Sequence, residues 1–158
     1  MTAYRFRVKL EWDPTALWRD IVVGENRTLA EFQAVINESI GLNQAHLWFF
    51  GADQDYWQSD VKYQRPEEDE DLPSGESMRW DETVSNAGET TITELASQLD
   101  LEVGDRICYL FDYGDEWQFY GILKEIADDE PSDRRPEVVN EKGDPVDQYS
   151  LEDHPRYQ

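Results

Sequence analysis

Residues 4–41, which read YRFRVKLEWDPTALWRDIVVGENRTLAEFQAVINESIG, decide the fold of this chain. From Tyr4 to Leu10 apolar and basic residues alternate strictly, and this pattern predicts a half-buried β-strand. After a turn at residues 13–15, the apolar run from Leu17 to Val23 predicts the returning arm of a β-hairpin. The stretch therefore begins with two antiparallel strands.

The same stretch ends in the clearest helix signal of the sequence. Thr28 followed by Glu31 matches a capping box, in which each side chain accepts a hydrogen bond from the backbone N–H of the other residue. Apolar residues then recur at helical spacing until Gly41, a residue type that commonly follows the last helical turn. A helix with one apolar stripe buries it against a neighbouring layer, so the hairpin and helix predict an α+β fold.

The later elements extend this prediction. The aromatic segment His46–Phe50 predicts a third strand, and Thr91 with Glu94 repeats the capping box before a short second helix. The segments Arg106–Phe111 and Trp117–Ile126 predict a second hairpin. Together they predict a mixed β-sheet with one main helix packed on one face, a β-grasp (ubiquitin-like) arrangement elaborated by an extra strand and the short second helix.

Two segments lack a clear pattern. An acidic stretch at about 59–90 predicts a long loop, although Met78 and Trp80 leave open a short extra strand there. From about residue 127 the chain is rich in Asp, Pro and Arg, which predicts an irregular C-terminal segment with order only near Pro136–Val139. Because 158 residues is the usual size of one domain, we expect a single domain over 1–158.

Acidic residues dominate the composition. The chain has 36 Asp and Glu against 14 Lys and Arg, a formal net charge of -22. Self-repulsion of this size weakens a compact state in dilute buffer, whereas molar salt shortens the Debye length to about 3 Å and screens it. The acidic residues occur in nearly every segment, which favours adaptation to high salt over a mesophilic acidic protein. In molar salt, nucleic-acid binding driven by counterion release would be largely lost.

Several features bear on location. Residues Met1–Arg7 enter a strand pattern directly, without the apolar run of a secretory signal, and no later segment is long and apolar enough to span a membrane. Cys108 is the only cysteine, so the chain cannot form an internal disulfide. We therefore expect a cytoplasmic protein with no membrane partner.

The densest group of chemically active residues is the turn of the second hairpin, Asp112-Tyr113-Gly114-Asp115-Glu116-Trp117. Three carboxylates beside two aromatic residues can bind a hard cation, shape a turn or recognise a partner. The spacing matches no established metal-binding loop. A structural turn is favoured, a recognition surface comes next, and we expect no bound metal and no cofactor.

Other candidate groups favour structural roles. Cys108 lies inside a strand pattern rather than at a helix N-terminus that would lower its pKa, which indicates a core residue rather than a nucleophile. His46 and His154 have no partners at metal-ligand or catalytic spacing.

Basic residues gather on one face of the first predicted strand. Arg5, Arg7 and Lys9 alternate with its apolar residues. They can form an anion-binding patch or cross-strand pairs with acidic neighbours such as Asp20, and the pairing is favoured.

These segments together resemble the plasmid pRiA4b ORF-3-like family. The resemblance rests on the first hairpin and helix, on His46-Leu47, on the late run 136–149, and above all on the Asp-Tyr-Gly-Asp-x-Trp motif ending at Trp117. Members are found on plasmids, in mobile elements and in many chromosomes, and are mostly of unknown function. The resemblance therefore implies no reaction.

The chain departs from the family pattern at two positions. Many relatives carry a His two residues after the motif Trp, and another two residues after the position that matches His46. Here those positions are Phe119 and Trp48. If the family histidines mark a polar or metal site, their replacement by aromatic residues weakens a catalytic interpretation.

The favoured function is a non-enzymatic binding or accessory module that presents the turn to another protein. The alternatives are a cryptic metal-dependent enzyme, using the turn carboxylates and His46, and a nucleic-acid-associated protein of mobile-element origin. We assign no catalytic and no metal-ligating residues. The candidate binding surface comprises Asp112, Tyr113, Gly114, Asp115, Glu116, Trp117, His46, Trp48 and Phe119.

Overall fold

The computed structural model describes residues 2–11, 15–42, 48–51, 62–64, 84–111 and 117–143. These residues form one eight-stranded sheet and two helices. In chain order the elements are β1 (Ala3–Leu10), β2 (Trp18–Gly24), α1 (Leu29–Ile40), β3 (Trp48–Gly51), β4 (Lys62–Gln64), β5 (Val84–Asn86), α2 (Ile92–Gln98), β6 (Arg106–Phe111), β7 (Trp117–Ala127) and β8 (Glu137–Lys142).

The sheet has the strand order β5-β4-β3-β6-β7-β1-β2-β8. Neighbouring strands are antiparallel except β4 and β5, which pair in parallel. The predicted mixed α+β architecture is confirmed. Both predicted hairpins are present, and β1 and β7 bring them together as neighbours at the centre of the sheet.

The predicted amphipathic strand and main helix form the core together. In β1 the apolar residues are buried and the basic residues between them are half-buried. Phe6 of β1 and Phe32 of α1 pack with ring centroids 5.3 Å apart. Thr28 and Glu31 form both bonds of the capping box, and Gly41 ends the helix with φ of 100°. The helix therefore begins and ends where the sequence predicts.

The second capping box is also confirmed, with Thr91 and Glu94 at the start of α2. The two helix starts are joined through their backbones. Leu29 N–H donates to Thr90 O at 2.9 Å, and Ile92 N–H donates to Arg27 O at 2.9 Å. These bonds satisfy backbone donors that have no partner inside a helix.

The two segments without a clear pattern contribute strands. Within the acidic stretch predicted as a loop, β4 and β5 extend the sheet beyond β3; Met78 and Trp80 lie outside the described residues. In the C-terminal segment β8 forms the edge strand beside β2, at the place where order was predicted and three residues beyond it. Most β8 side chains are exposed, so backbone pairing rather than an apolar pattern holds this strand in place.

A buried arginine fastens β8 to the end of α1. The side chain of Arg19 is 1% exposed and donates to Ser39 O at 3.0 Å, Lys142 O at 2.8 Å and Gly143 O at 3.0 Å. A cation beside the last carbonyls of a helix also complements the helix dipole. Gly143 has φ of 89°, and a Cβ there would lie 2.3 Å from Ala16 O. This junction therefore requires glycine as well as arginine.

The mixed α+β architecture does not by itself establish the β-grasp arrangement, which stays a prediction. Its shared parts, the β1–β2 hairpin and the helix that follows it, are present. Among the described residues, neither helix has the length and hydropathy to cross a lipid bilayer.

Candidate functional site

Several elements meet at one end of the sheet, which we call the hairpin end. There Trp48 pairs with Phe111, Phe111 pairs with Trp117, and Leu10 pairs with Phe119. Phe111 is the last residue of β6 and Trp117 is the first residue of β7, so this pair flanks residues 112–116 in the chain. Trp48 is the first residue of β3. The described residues that flank His46 and the turn therefore lie side by side.

The predicted site residues divide into two groups. His46 and the turn residues 112–116 lie outside the described residues. Trp48, Trp117 and Phe119 are described, with exposures of 3%, 0% and 0%. All three side chains lie in the core, so their part in the candidate binding surface, which stays a prediction, can only be to support it from below.

The core beneath the hairpin end is an aromatic layer. The ring of Tyr109 stacks on Phe50 with centroids 4.8 Å apart and on Phe119 at 5.9 Å. Trp117 stacks on Phe119 at 6.4 Å, while Trp48 meets Phe50 edge-on at 5.8 Å. Aromatic pairs in such geometries stabilise beyond the apolar area they bury. The layer therefore packs the ends of β3, β6 and β7 against one another.

A buried hydrogen-bond network crosses from this layer to α1. The hydroxyl of Tyr109 donates to Asn37 Oδ1 at 2.6 Å and accepts from Gln33 Nε2 at 2.8 Å. Burial raises the pKa of Tyr109 well above its usual value, and the hydrogen bond that Gln33 donates acts against this rise without cancelling it. The hydroxyl therefore stays neutral across the physiological range and fixes the helix over the sheet.

No sequence pattern described above predicts this network, although the helix carries a signal for it. Gln33 and Asn37 stand four residues apart on the buried face of α1, with exposures of 2% and 0%. Two amides on an apolar helix face require buried partners, because an unsatisfied buried amide is costly.

A second polar group lies on the face of the sheet opposite α1. Towards β3 this face is covered, since Phe49, Cys108 and Leu110 on it are buried. The part of this face from β8 to β7, together with Arg106 of β6, we call the open face. Arg7 Nε donates to Asp20 Oδ1 at 2.7 Å, and Arg7 Nη2 and Arg5 Nη2 donate to Asp20 Oδ2 at 2.9 and 2.7 Å. The predicted cross-strand pairing is confirmed. Burial raises the pKa of Asp20, but hydrogen bonds from Arg7 and Arg5 outweigh it and hold the pKa below its ordinary value.

Two guanidinium groups stack on aromatic rings of the open face. Arg7 Cζ lies 4.0 Å from the ring centroid of Trp18, and Arg106 Cζ lies 4.7 Å from that of Tyr120. Lys9 sits between these rings in the sheet, opposite Trp18 on β2 and opposite Tyr120 on β7. The open face thus combines cations with partly exposed aromatic rings.

The sole cysteine has the predicted structural role. Cys108 is 3% exposed and clusters with Phe49 and Leu110, which are both fully buried. Across the described ranges no three side chains of His, Cys, Asp or Glu are placed together to hold a metal ion.

Comparisons with known proteins agree with this architecture. A family model described as plasmid pRiA4b ORF-3-like protein matches residues 2–148. A crystal structure of a protein of unknown function from Methanosarcina mazei Go1 superposes with a TM-score of 0.66 at 16% sequence identity, covering 94% of this chain and 74% of that chain. This likeness shows the fold alone. No curated protein matches the sequence.

Proposed function

The chain belongs to the plasmid pRiA4b ORF-3-like family, and from this premise we propose that it acts as a non-enzymatic binding or accessory module in the cytoplasm of a salt-rich cell. Its partner in this proposal is another protein, bound at the hairpin end by the turn residues 112–116 and His46. Trp48, Trp117 and Phe119 support that surface from the core. A single domain of β-grasp type is part of the same proposal.

The observation that carries the proposal is the register at the hairpin end. Trp48, Phe111 and Trp117 are cross-strand neighbours, so the segments containing His46 and the turn join the sheet next to each other. The described strand ends at this place carry the aromatic layer, which is tied to α1 through Tyr109. A well-packed base supports the proposal, because binding costs less when fewer groups must be ordered as the partner docks.

The composition of the turn suits recognition in concentrated salt. At molar ionic strength charges are screened beyond about 3 Å, so specificity must come from short-range contacts. The turn offers carboxylate acceptors beside Tyr113, and tyrosine is enriched at protein interfaces. Adaptation to high salt, supported by the net charge of -22, belongs to this proposal.

Affinity purification from cells at their native salt concentration tests the proposal. The bait is the full chain, compared with a double variant Asp112→Asn/Asp115→Asn in the turn. The matched control is Asp128→Asn/Asp129→Asn, which changes two exposed aspartates just after β7, at the opposite end of the sheet. We expect a stoichiometric protein partner that the control retains and the turn variant loses, with melting temperatures unchanged.

Equal recovery of the partner with both variants would contradict the proposed surface. Titration of Mg²⁺, Mn²⁺, Ca²⁺ and Zn²⁺ at high salt provides a separate check. If the wild type binds one of these ions stoichiometrically and the turn variant does not, the result would favour a metal-dependent enzyme over a binding module, since hard cations favour carboxylate oxygens.

A further inference from the structure

The open face carries a concentration of positive charge that the overall composition does not predict. The sheet register lines up two rows across neighbouring strands. The first row is Lys142, Trp18, Lys9 and Tyr120; the second is Asp20, Arg7, Ile122 and Arg106. With Arg5, these rows hold five of the 14 basic residues, which we call the cationic patch: Arg5, Arg7, Lys9, Arg106 and Lys142.

The acidic groups on this face do not neutralise the patch. Asp20 is fully buried and contributes one carboxylate, which Arg5 and Arg7 share. Glu125 lies opposite Arg5, at the border of the patch, and is exposed. Two further carboxylates border the patch. Glu11 is half-buried, two residues after Lys9, with its backbone N–H bonded to Gln118 O, while Glu137, opposite Val22, is already bound to Arg134 at 2.8 Å. With Glu137 occupied, three carboxylates stand against the five cations of the patch.

Three cations of the patch have no carboxylate partner among the residues that the structure describes. These are Lys9, Arg106 and Lys142. Arg106 and Lys142 are exposed and Lys9 is half-buried, so within the described ranges their positive charge reaches this face without a paired carboxylate.

The aromatic rings prepare the guanidinium groups for binding. Stacking on a ring holds the plane of a guanidinium in place and leaves its N–H edge free to meet a planar anion. Arg106 is held in this way on Tyr120. Arg7, stacked on Trp18, donates hydrogen bonds from Nε and Nη2 to the carboxylate of Asp20. A guanidinium held on an aromatic ring of this face therefore binds a carboxylate.

We propose that the cationic patch binds an acidic, extended segment of a partner protein through its carboxylates. From β8 to β6 the patch spans five strands, or about 19 Å at about 4.8 Å per strand spacing, which about six extended residues can cross. A nucleic acid fits less well, because its phosphates would continue beyond the patch onto the remaining surface of a chain whose formal net charge is -22. This surface uses other residues than the hairpin-end turn, so either can fail alone.

Fluorescence anisotropy with a labelled peptide of alternating glutamate and alanine tests the patch. The peptide in which glutamine replaces glutamate and a polythymidine oligonucleotide serve as comparison probes, each at moderate and at molar KCl. The variants are Arg106→Gln and Lys9→Gln, and the control is Arg135→Gln, an exposed arginine outside the patch. Thermal melts verify that each variant is folded. If Arg106→Gln does not fold, the affinity of Lys9→Gln for the glutamate peptide decides the test.

We expect the glutamate peptide to bind the wild type and the glutamine peptide to bind at least tenfold more weakly. Arg106→Gln should weaken glutamate-peptide binding about tenfold, a change that corresponds to about 1.4 kcal/mol. Arg135→Gln should leave it unchanged. Absence of binding, or equal loss in the control, would overturn the proposal. If the wild type binds the oligonucleotide more tightly than the glutamate peptide, and Lys9→Gln abolishes that binding, the choice of a protein partner is overturned.

Discussion

Replacement of Asp20 by Asn should lower the free energy of unfolding by about 3 kcal/mol. The carboxylate is 0% exposed and accepts three hydrogen bonds of 2.7 to 2.9 Å from Arg5 and Arg7. Asn removes the negative charge and places an NH₂ group against one of these donors. Breaking a buried pair typically costs about 3 to 5 kcal/mol. The lower value applies, because Arg5 and Arg7 are 36% and 26% exposed and can turn towards water.

Denaturant unfolding at molar KCl and neutral pH measures this loss. The matched control is Glu125→Gln, which removes an exposed carboxylate opposite Arg5 on β7. Exposed ion pairs contribute about 0 to 1 kcal/mol, so the control should change stability by less than about 0.5 kcal/mol. A loss below about 1 kcal/mol for Asp20→Asn, or one equal to that of the control, would refute the reasoning.

The pH dependence of the same difference follows from the lowered pKa of Asp20. A depressed pKa means that the folded state favours the charged carboxylate, so its stabilisation is fully present above the unfolded pKa of about 3.9. It is lost as the pH falls through the lower folded value. The stability difference between wild type and Asp20→Asn should therefore shrink in acid, and a constant difference down to the acid transition would contradict this assignment.

Three further predictions concern the charge and the core. The melting temperature should rise steeply from low to molar KCl, because screening relieves repulsion among the carboxylates of a chain with net charge -22; an unchanged value would defeat salt adaptation. Trp117→Ala should cost about 3 to 5 kcal/mol in unfolding experiments, and a loss below about 1 kcal/mol would place Trp117 outside the core. Tyr109→Phe should cost about 1 to 3 kcal/mol, since it leaves the buried amides of Gln33 and Asn37 without the hydroxyl between them. A neutral Tyr109→Phe would show that these amides find other partners.

The elements with strong periodicity could be predicted from the sequence. Alternation in β1 separates a buried face from a basic face, and the capping boxes at Thr28 and Thr91 mark both helix starts. The pairing of Arg7 with Asp20 also follows from local information, because a hairpin turn places nearby strand residues opposite each other. In these places local preference and final packing agree.

The elements that depend on distant partners could not be predicted. β4 and β5 have three residues each and exist through pairing with the rest of the sheet. β8 is mostly exposed, and Arg19 fastens its end through backbone carbonyls of residues that are remote in sequence. No residue pattern records such long-range bonds.

Trp48 and Phe119 lie in the core for different reasons: every residue of β3 is buried, whereas alternation within β7 places Phe119 on its buried face. Phe119 shares its face of β7 with Trp117 and Leu123, all of which are buried, and Trp48 shares its face of β3 with the buried Phe50. In an antiparallel sheet covered by a helix, residues two apart lie on the same side. Trp48 and Phe119 are therefore core residues.

Calorimetric titration of the purified partner into the wild type and into Asp112→Asn/Asp115→Asn, at molar KCl, tests the central claim most directly. If the protein is a binding module that uses the hairpin end, the wild type should bind with one-to-one stoichiometry, and the folded variant should bind at least tenfold more weakly, a difference of about 1.4 kcal/mol or more. Equal affinities, with both proteins folded, would contradict the account.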